Sequence, residues 1–147
     1  MKIWDTAGQE RFKCLTKKYF EDADACVVVF DLTNKTSFEN VTHWLRQLKI
    51  NTPKDTVIVL LGNKCDLNES KEVKDNEIED FVKEKELPYM KVSAKTGENV
   101  EKTFDYLAKG LYVKIIASNE KIDSFVIGDN EKKIERDKKD NNETGCC

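Results

Sequence analysis

Residues 56–66 read TVIVLLGNKCD, a strand-sized apolar run that ends in a polar turn. A second run of the same kind, ACVVVF, occupies Ala25–Phe30. Apolar runs without alternation are typical of strands buried on both faces of a parallel sheet, and both runs are too short for a buried helix of ordinary length. The sequence therefore predicts two buried strands of such a sheet.

Apolar residues at helical spacing separate and follow these strands. The first helix has its apolar positions at Phe38, Val41, Trp44, Leu45 and Leu48. Thr36–Glu39, with the sequence TSFE, has the form of a capping box at the start of that helix. The remaining elements are a strand end at Lys2–Asp5, a helix around Ile78, Phe81 and Val82, a strand at Pro88–Val92 and a long helix over Val100–Ile115. Alternating strands and helices predict an α/β fold, with a mostly parallel sheet and helices on both faces.

Composition excludes several classes of protein. The 147 residues carry 25 basic and 28 acidic side chains, so the net charge of −3 argues against nucleic acid as a partner. No apolar run approaches the roughly 18 residues of a membrane-spanning helix, and Met1–Asp5 lacks the start of a secretory leader, which favours a cytosolic location. Five cysteines, an odd number, are better explained as free thiols than as disulfides.

The apolar periodicity stops near Ser118. Too few aliphatic and aromatic residues follow to offset the entropy of ordering the chain. The sequence predicts a folded domain over residues 1–117 and a flexible, variable tail over residues 118–147.

Three distinctive loops follow predicted strands, in the order Asp5–Glu10 (DTAGQE), Asn63–Asp66 (NKCD) and Ser93–Lys95 (SAK). Open α/β sheets bind ligands at the carboxyl ends of their strands. With these loops the sequence resembles the small GTPases of the Ras superfamily, and specifically their Rab branch, from Lys2 to about Ile116 and again at the terminal cysteine pair. The resemblance implies a P-loop NTPase-like fold that binds GTP or GDP with Mg²⁺ and acts as a switch in intracellular vesicle trafficking.

Three residues of the first loop match the phosphate side of the family's site. Asp5 matches the carboxylate that helps to hold Mg²⁺, and the Gly8 N–H matches the donor to the terminal phosphate. Gln9 matches the side chain that orients the attacking water, so the resemblance implies hydrolysis of GTP to GDP and phosphate.

The other two loops match the guanine side, through Asn63, Lys64, Asp66, Ser93, Ala94 and Lys95. A carboxylate at Asp66 can accept both the ring N–H and the exocyclic amine of guanine, which adenine cannot offer. The resemblance places the stem of Lys64 over the base and makes the Ala94 N–H the donor to the guanine carbonyl. Asn63 would tie the loops together, with Ser93 and Lys95 in support.

Aromatic residues and the chain end point to partners. The resemblance makes Trp4, Phe12 and Tyr19 part of an exposed effector surface, although Trp4 and Tyr19 could equally be core residues. Cys146 and Cys147 resemble the Rab terminus that an escort protein delivers to a prenyltransferase, and two lipids give stable anchoring where one does not. A soft-metal site at this pair is the alternative. The implied location is the cytosolic face of endomembranes, with effectors, exchange factors and GTPase-activating proteins as further partners.

Two family features do not occur in the sequence: the phosphate loop G-x-x-x-x-G-K-[ST] and the first switch with its threonine. We therefore expect an N-terminally incomplete domain that is marginally stable and binds GTP poorly. The alternative function is a truncated, non-cycling binding module that engages escort or effector proteins without hydrolysis.

Overall fold

Three parallel strands form the sheet in the computed structural model, which describes residues 2–5 and 20–117. The strands are β1 (Ala25–Asp31), β2 (Val57–Asn63) and β3 (Tyr89–Lys91), in the order β1-β2-β3. Both pairings are parallel, so the carboxyl ends of all three strands meet at one edge of the sheet. The register places Asp31 beside Asn63, at the point where β1 and β2 end.

The helices are α1 (Lys35–Glu39), α2 (Val41–Asn51), α3 (Asp75–Lys85) and α4 (residues 100–117), with a 3₁₀ turn at Asn68–Ser70. The chain divides into two compact units, residues 1–109 and 110–147, and the sheet belongs to the first. Residues 110–117 are the described part of the second unit, and they are helical. No helix in the described ranges combines the length and the apolar character needed to cross a bilayer.

Each face of the sheet has its own apolar core. Alternate residues of β1, among them Val28 and Phe30, pack with Leu60 and with residues of α1, α2 and α3. On the opposite face Val59 and Leu61 pack with Leu107 of α4. The predicted α/β fold, with a parallel sheet and helices on both faces, is therefore confirmed.

The predicted burial of β1 on both faces is wrong for two of its residues. Val27 and Val29 are 39% and 55% exposed, whereas their register partners Val59 and Leu61 are buried. The reason is position, because β1 is an edge strand of the described sheet and the α4 residue Leu107 packs on β2 instead.

Two local predictions also differ from the structure. Lys2–Asp5 form no strand and are exposed, since the described sheet pairs β1 with β2 alone and gives these residues no partner strand. The capping box at Thr36–Glu39 is replaced by Asn34, whose side-chain oxygen accepts a 3.1 Å hydrogen bond from the Ser37 N–H. Asn begins helices well because it satisfies such an otherwise unpaired N–H.

Candidate functional site

An open cleft of about 310 Å³ lies at the carboxyl edge of the sheet, between the loop after β2 and the loop after β3. Its lining residues are Asn63, Lys64, Asp66, Leu67, Ala94 and Lys95. Five of these are residues that the sequence predicts for nucleotide binding. A volume near 300 Å³ lies at the lower end of the range for small-molecule sites.

A hydrogen bond across the cleft joins its two loops. The Ala94 N–H donates to Asn63 Oδ1 at 3.0 Å, although the two residues lie 31 positions apart in the chain. Parallel hydrogen bonding between β2 and β3 continues into the loop after β2, because the Cys65 N–H donates to the Val92 carbonyl at 3.1 Å. The cleft therefore has walls that the sheet holds in place.

Asp66 has its orientation fixed by a buried serine. Ser93 is fully buried, and its Oγ donates a 2.6 Å hydrogen bond to Asp66 Oδ1. The same Oγ accepts a 3.1 Å hydrogen bond from the Thr96 N–H. Ser93 thus connects the loop after β3 to the carboxylate of Asp66, which lines the cleft.

Lys64 forms the turn directly after β2 in a left-handed backbone conformation, with φ of 65°. Its Nζ lies 2.7 Å from Asp31 Oδ2, and its side chain is about half exposed. Asp31 Oδ1 accepts hydrogen bonds from the Thr33 N–H at 2.8 Å and from the Thr33 hydroxyl at 2.7 Å. Partial burial raises the pKa of Asp31, but the Lys64 and Thr33 hydrogen bonds outweigh it, and the net pKa lies below its ordinary value.

The loop after β3 is closed by its own backbone. The Gly97 N–H donates to the Ser93 carbonyl at 2.9 Å, and Gly97 adopts φ of 82°, which glycine tolerates without strain. Asn99 adopts φ of 56° and donates its side-chain amide to the Lys91 carbonyl at 2.8 Å. These bonds hold Ala94 and Lys95 at the exposed rim of the cleft.

Cys65 sits in the turn between Lys64 and Asp66 as a free, half-buried thiol, and Cys26 on β1 is also free. Burial raises the pKa of the Cys65 thiol, and the nearby carboxylates of Glu98 and Asp66 raise it further. A thiol with a raised pKa is a poor nucleophile at neutral pH. We assign Cys65 no reactive role.

Asp5 and Trp4, the other described residues that the sequence predicts for the site, do not line this cleft. Asp5 is exposed, and Trp4 is 64% exposed, so Trp4 is not a core residue here. The predicted roles of Gly8, Gln9, Phe12, Tyr19, Cys146 and Cys147 lie outside the described residues.

Magnesium has no built site in residues 2–5 and 20–117, where no group of three His, Cys, Asp or Glu side chains could hold a metal ion. Asp5 by itself does not meet the need of Mg²⁺ for several oxygen ligands in octahedral geometry. The described residues therefore do not complete a site for Mg²⁺, and we derive no step through this ion.

Sequence reasoning missed three residues that support or neighbour those of the cleft: Asp31, Thr33 and Gly62. Asp31 directly follows the apolar run of β1, and the parallel register pairs it with Asn63, the residue before Lys64. Gly62 precedes Asn63 on β2, and a Cβ there would lie 2.6 Å from Tyr89 Oη and 3.2 Å from Phe30 Cζ. Only glycine lets the end of β2 lie this close to its neighbours.

Comparisons with known proteins show which family the chain is similar to. The model of the Ras family matches residues 1–113. The chain is 43% identical over 111 residues to "Ras-related protein Rab-37" of Homo sapiens, covering 76% of this chain and 50% of that protein. It is 45% identical over 111 residues to "Ras-related protein Rab-26" of Mus musculus, covering 76% of this chain and 43% of that protein.

The chain spans about half the length of these curated relatives. The family match nevertheless covers the whole described sheet, the cleft and residues 100–113 of α4. The chain belongs to the Ras family, and the relatives that it matches are Ras-related Rab proteins.

Proposed function

We propose that the cleft binds the guanine base of GTP or GDP, and that the protein works as a nucleotide-dependent switch in intracellular vesicle trafficking. One observation carries the proposal. The loops after β2 and β3 place an acceptor carboxylate, a backbone donor and a lysine stem around a single cleft, at Asp66, Ala94 and Lys64. Membership of the Rab-type GTPases supports the choice of a guanine nucleotide.

Asp66 supplies base selectivity in this proposal. Ser93 occupies one lone pair of Oδ1, and a carboxylate has enough remaining acceptor sites for two N–H donors on one edge of a base. Guanine presents two such donors side by side, its N1–H and the amine at C2, whereas adenine presents an acceptor at N1 and only a C–H at C2. Adenine would leave the half-buried carboxylate facing an acceptor, which costs free energy.

Ala94 contributes the donor to the guanine carbonyl. Its N–H is held by Asn63 Oδ1 in the structure, at the exposed rim of the cleft. A bound base would share or replace this acceptor, so the N–H stays satisfied with and without ligand. Lys64 and Lys95 then flank the base with their aliphatic stems.

The remaining roles belong to residues outside the cleft. Gln9 orients the attacking water, the Gly8 N–H contacts the terminal phosphate, and Asp5 is the one described candidate for the metal side. Trp4 lies on the effector surface, consistent with its 64% exposure.

Anchoring rests on Cys146 and Cys147, which an escort protein would present to a prenyltransferase. Two lipid chains would hold the protein on the cytosolic face of endomembranes, where exchange factors, GTPase-activating proteins and effectors act on it. Mass spectrometry of the protein purified from cells tests this: we expect two geranylgeranyl groups on these cysteines. Unmodified cysteines in membrane-bound protein would contradict it.

A second candidate function is a binding module that engages escort or effector proteins without cycling. Phosphate release from labelled GTP by the 147-residue chain separates the two functions. Steady phosphate release supports the switch. An absence of phosphate release, in a chain that still binds an escort protein, supports the binding module.

The binding step is tested by NMR titration of the ¹⁵N-labelled 147-residue chain with GDP. We expect shifts of the backbone signals of Asn63, Asp66 and Ala94 that saturate at micromolar to millimolar nucleotide. ADP is the matched control and should cause no saturating change at these residues. Equal responses to GDP and ADP, or no response to millimolar GDP, would contradict the proposal.

A further inference from the structure

Lys64 lines two spaces at the carboxyl edge of the sheet. One is the open cleft, and the other is a cavity of about 30 Å³ that Leu32 and Lys91 also line. The four-carbon stem of Lys64 would sample many rotamers if its ammonium were solvated, and some of those rotamers would enter the cleft. The group that binds the Lys64 ammonium therefore determines how the lysine stem lies along the wall of the cleft.

Asp31 holds that ammonium from β1. Asp31 Oδ2 lies 2.7 Å from Lys64 Nζ, and the Asp31 side chain is the less exposed partner, at 24% against 48%. The parallel register supports the contact, because Asp31 pairs with Asn63 and Lys64 is the next residue along the chain. The ion pair turns the lysine head toward the end of β1.

Asp31 is itself immobilised by its own segment. Its second carboxylate oxygen accepts two hydrogen bonds from Thr33. Its backbone N–H donates to Ser37 Oγ at 2.9 Å, and its carbonyl accepts from the same hydroxyl at 3.2 Å. Both the side chain and the backbone of Asp31 are thus fixed by residues 33 and 37, while Lys64 has no comparable hold on its stem in the described contacts. The rigid partner positions the flexible one.

We propose that Asp31 is a positioning residue that holds the Lys64 stem along the wall of the nucleotide cleft. The inference rests on the proposed function, because it gives Lys64 a base to cover. Asp31 touches no nucleotide in this arrangement and acts through Lys64. Pre-ordering a long side chain lowers the entropy lost when a ligand binds, so the effect should appear in affinity.

The first measurement needs no nucleotide. Side-chain order parameters for the Lys64 methylene next to Nζ are measured by NMR in the full 147-residue chain and in Asp31→Asn. The asparagine keeps an oxygen for the two Thr33 hydrogen bonds and loses the charge that attracts the ammonium. We expect the order parameter of Lys64 to fall in Asp31→Asn and to stay unchanged in Asp80→Asn, a matched control at an exposed position of α3.

The second measurement is a double-mutant cycle on GDP affinity. We expect Asp31→Asn to weaken GDP binding by about threefold to tenfold, the range for losing the pre-ordering of one long side chain. Lys64→Met keeps most of the stem but removes the ammonium. We expect Asp31→Asn to have no further effect in that background, because its partner is already gone.

The outcomes test the positioning role of Asp31 separately from the proposed binding of a guanine nucleotide. Unchanged order at Lys64 in Asp31→Asn, or an equal loss of affinity with and without the Lys64 ammonium, would overturn the positioning role. A fall in Lys64 order without GDP binding by the unaltered chain would support the positioning of Lys64 and contradict the proposed function. Lys64→Met removes the same ion pair without touching Asp31, so misfolding of one variant does not decide the result.

Discussion

Ser93 and Asp66 form a hydrogen bond of 2.6 Å in which the donor is fully buried and the acceptor lines the cleft. The two residues come from different loops, 27 positions apart. A buried hydroxyl has few alternative partners, so it holds the carboxylate in one orientation. The interior of the protein thereby fixes a group that would otherwise rotate freely at the surface.

Replacing Ser93 with alanine removes this constraint. We expect Ser93→Ala to weaken GDP binding by about tenfold, since hydrogen bonds to charged groups contribute roughly 1.5–3 kcal/mol. The unfolding free energy should fall by about 1–3 kcal/mol, because the Thr96 N–H also loses its acceptor. NMR titration and denaturant unfolding give the two quantities. Ser70→Ala, at an exposed serine of the 3₁₀ turn, is the control. Full GDP affinity in folded Ser93→Ala would contradict the orienting role.

Asp66→Asn should change which base the cleft prefers. Asparagine offers one acceptor and one donor where aspartate offers acceptors alone, so it fits the donor and carbonyl edge of xanthine better than the two donors of guanine. We expect GDP binding to weaken by at least about tenfold and xanthosine diphosphate binding to strengthen. Competition titrations with both nucleotides measure the ratio. Equal losses for the two would mean that Asp66 supports the fold and does not contact the base.

Substitutions at Gly62 and Tyr89 should have coupled effects on the unfolding free energy, because the two residues approach each other closely. A Cβ at position 62 would meet Tyr89 Oη at 2.6 Å, and that buried hydroxyl has no hydrogen-bond partner among the described residues. We expect Gly62→Ala to lower the unfolding free energy by about 1–3 kcal/mol, as overpacking does. Tyr89→Phe should be neutral or slightly stabilising, because it removes an unsatisfied group.

The double variant tests the cause. Tyr89→Phe should recover a substantial part of the Gly62→Ala loss, since it removes the nearest clashing atom. Denaturant unfolding of the four proteins gives the coupling. Additive effects would place the strain at the next contacts, Leu32 and Phe30, instead. Tyr112→Phe, at an exposed tyrosine of α4, controls for the loss of a hydroxyl.

Much of the fold and of the cleft is predictable from the sequence. The spacing of apolar residues identifies the strands and helices, and their order along the chain predicts a parallel sheet. The run Thr56–Leu61 predicts β2, and the alternation with helices predicts a parallel sheet whose carboxyl ends share an edge. That edge brings Asp66 and Ala94 to one cleft, as the motifs after β2 and β3 suggest.

Two features that the sequence did not predict, the exposure of two β1 residues and one contact between strand ends, depend on the assembled sheet. Exposure of Val27 and Val29 depends on what covers β1, which their own side chains do not encode. The contact between Asp31 and Lys64 depends on the register of β1 against β2, and a one-residue slip would separate the pair. The residues that cover a strand and its register against the next strand are properties of the assembled sheet, so the sequence of a single strand does not predict them.

Asp75 should make the stability of the fold depend on acid pH. It begins α3 and forms ion pairs with Lys71 and, at 2.7 Å, with Lys91. The hydrogen bond from Lys71, followed by that from Lys91, holds the pKa of Asp75 below its ordinary value of 3.8. A carboxyl with a lowered pKa stabilises the fold above its unfolded pKa, and this stability is lost as the pH falls through the folded pKa.

The comparison of the unaltered chain with Asp75→Asn measures that contribution. Because Asp75 is half exposed, we expect the difference in unfolding free energy at pH 7 to be below about 1 kcal/mol. Urea unfolding at steps from pH 7 to pH 3 should show the difference shrink once the pH falls below about 4, where protonation removes the carboxylate. High salt at pH 7 should shrink it as well. A difference that grows toward pH 3 would have the wrong sign for a lowered pKa and would contradict the ion pairs as its source.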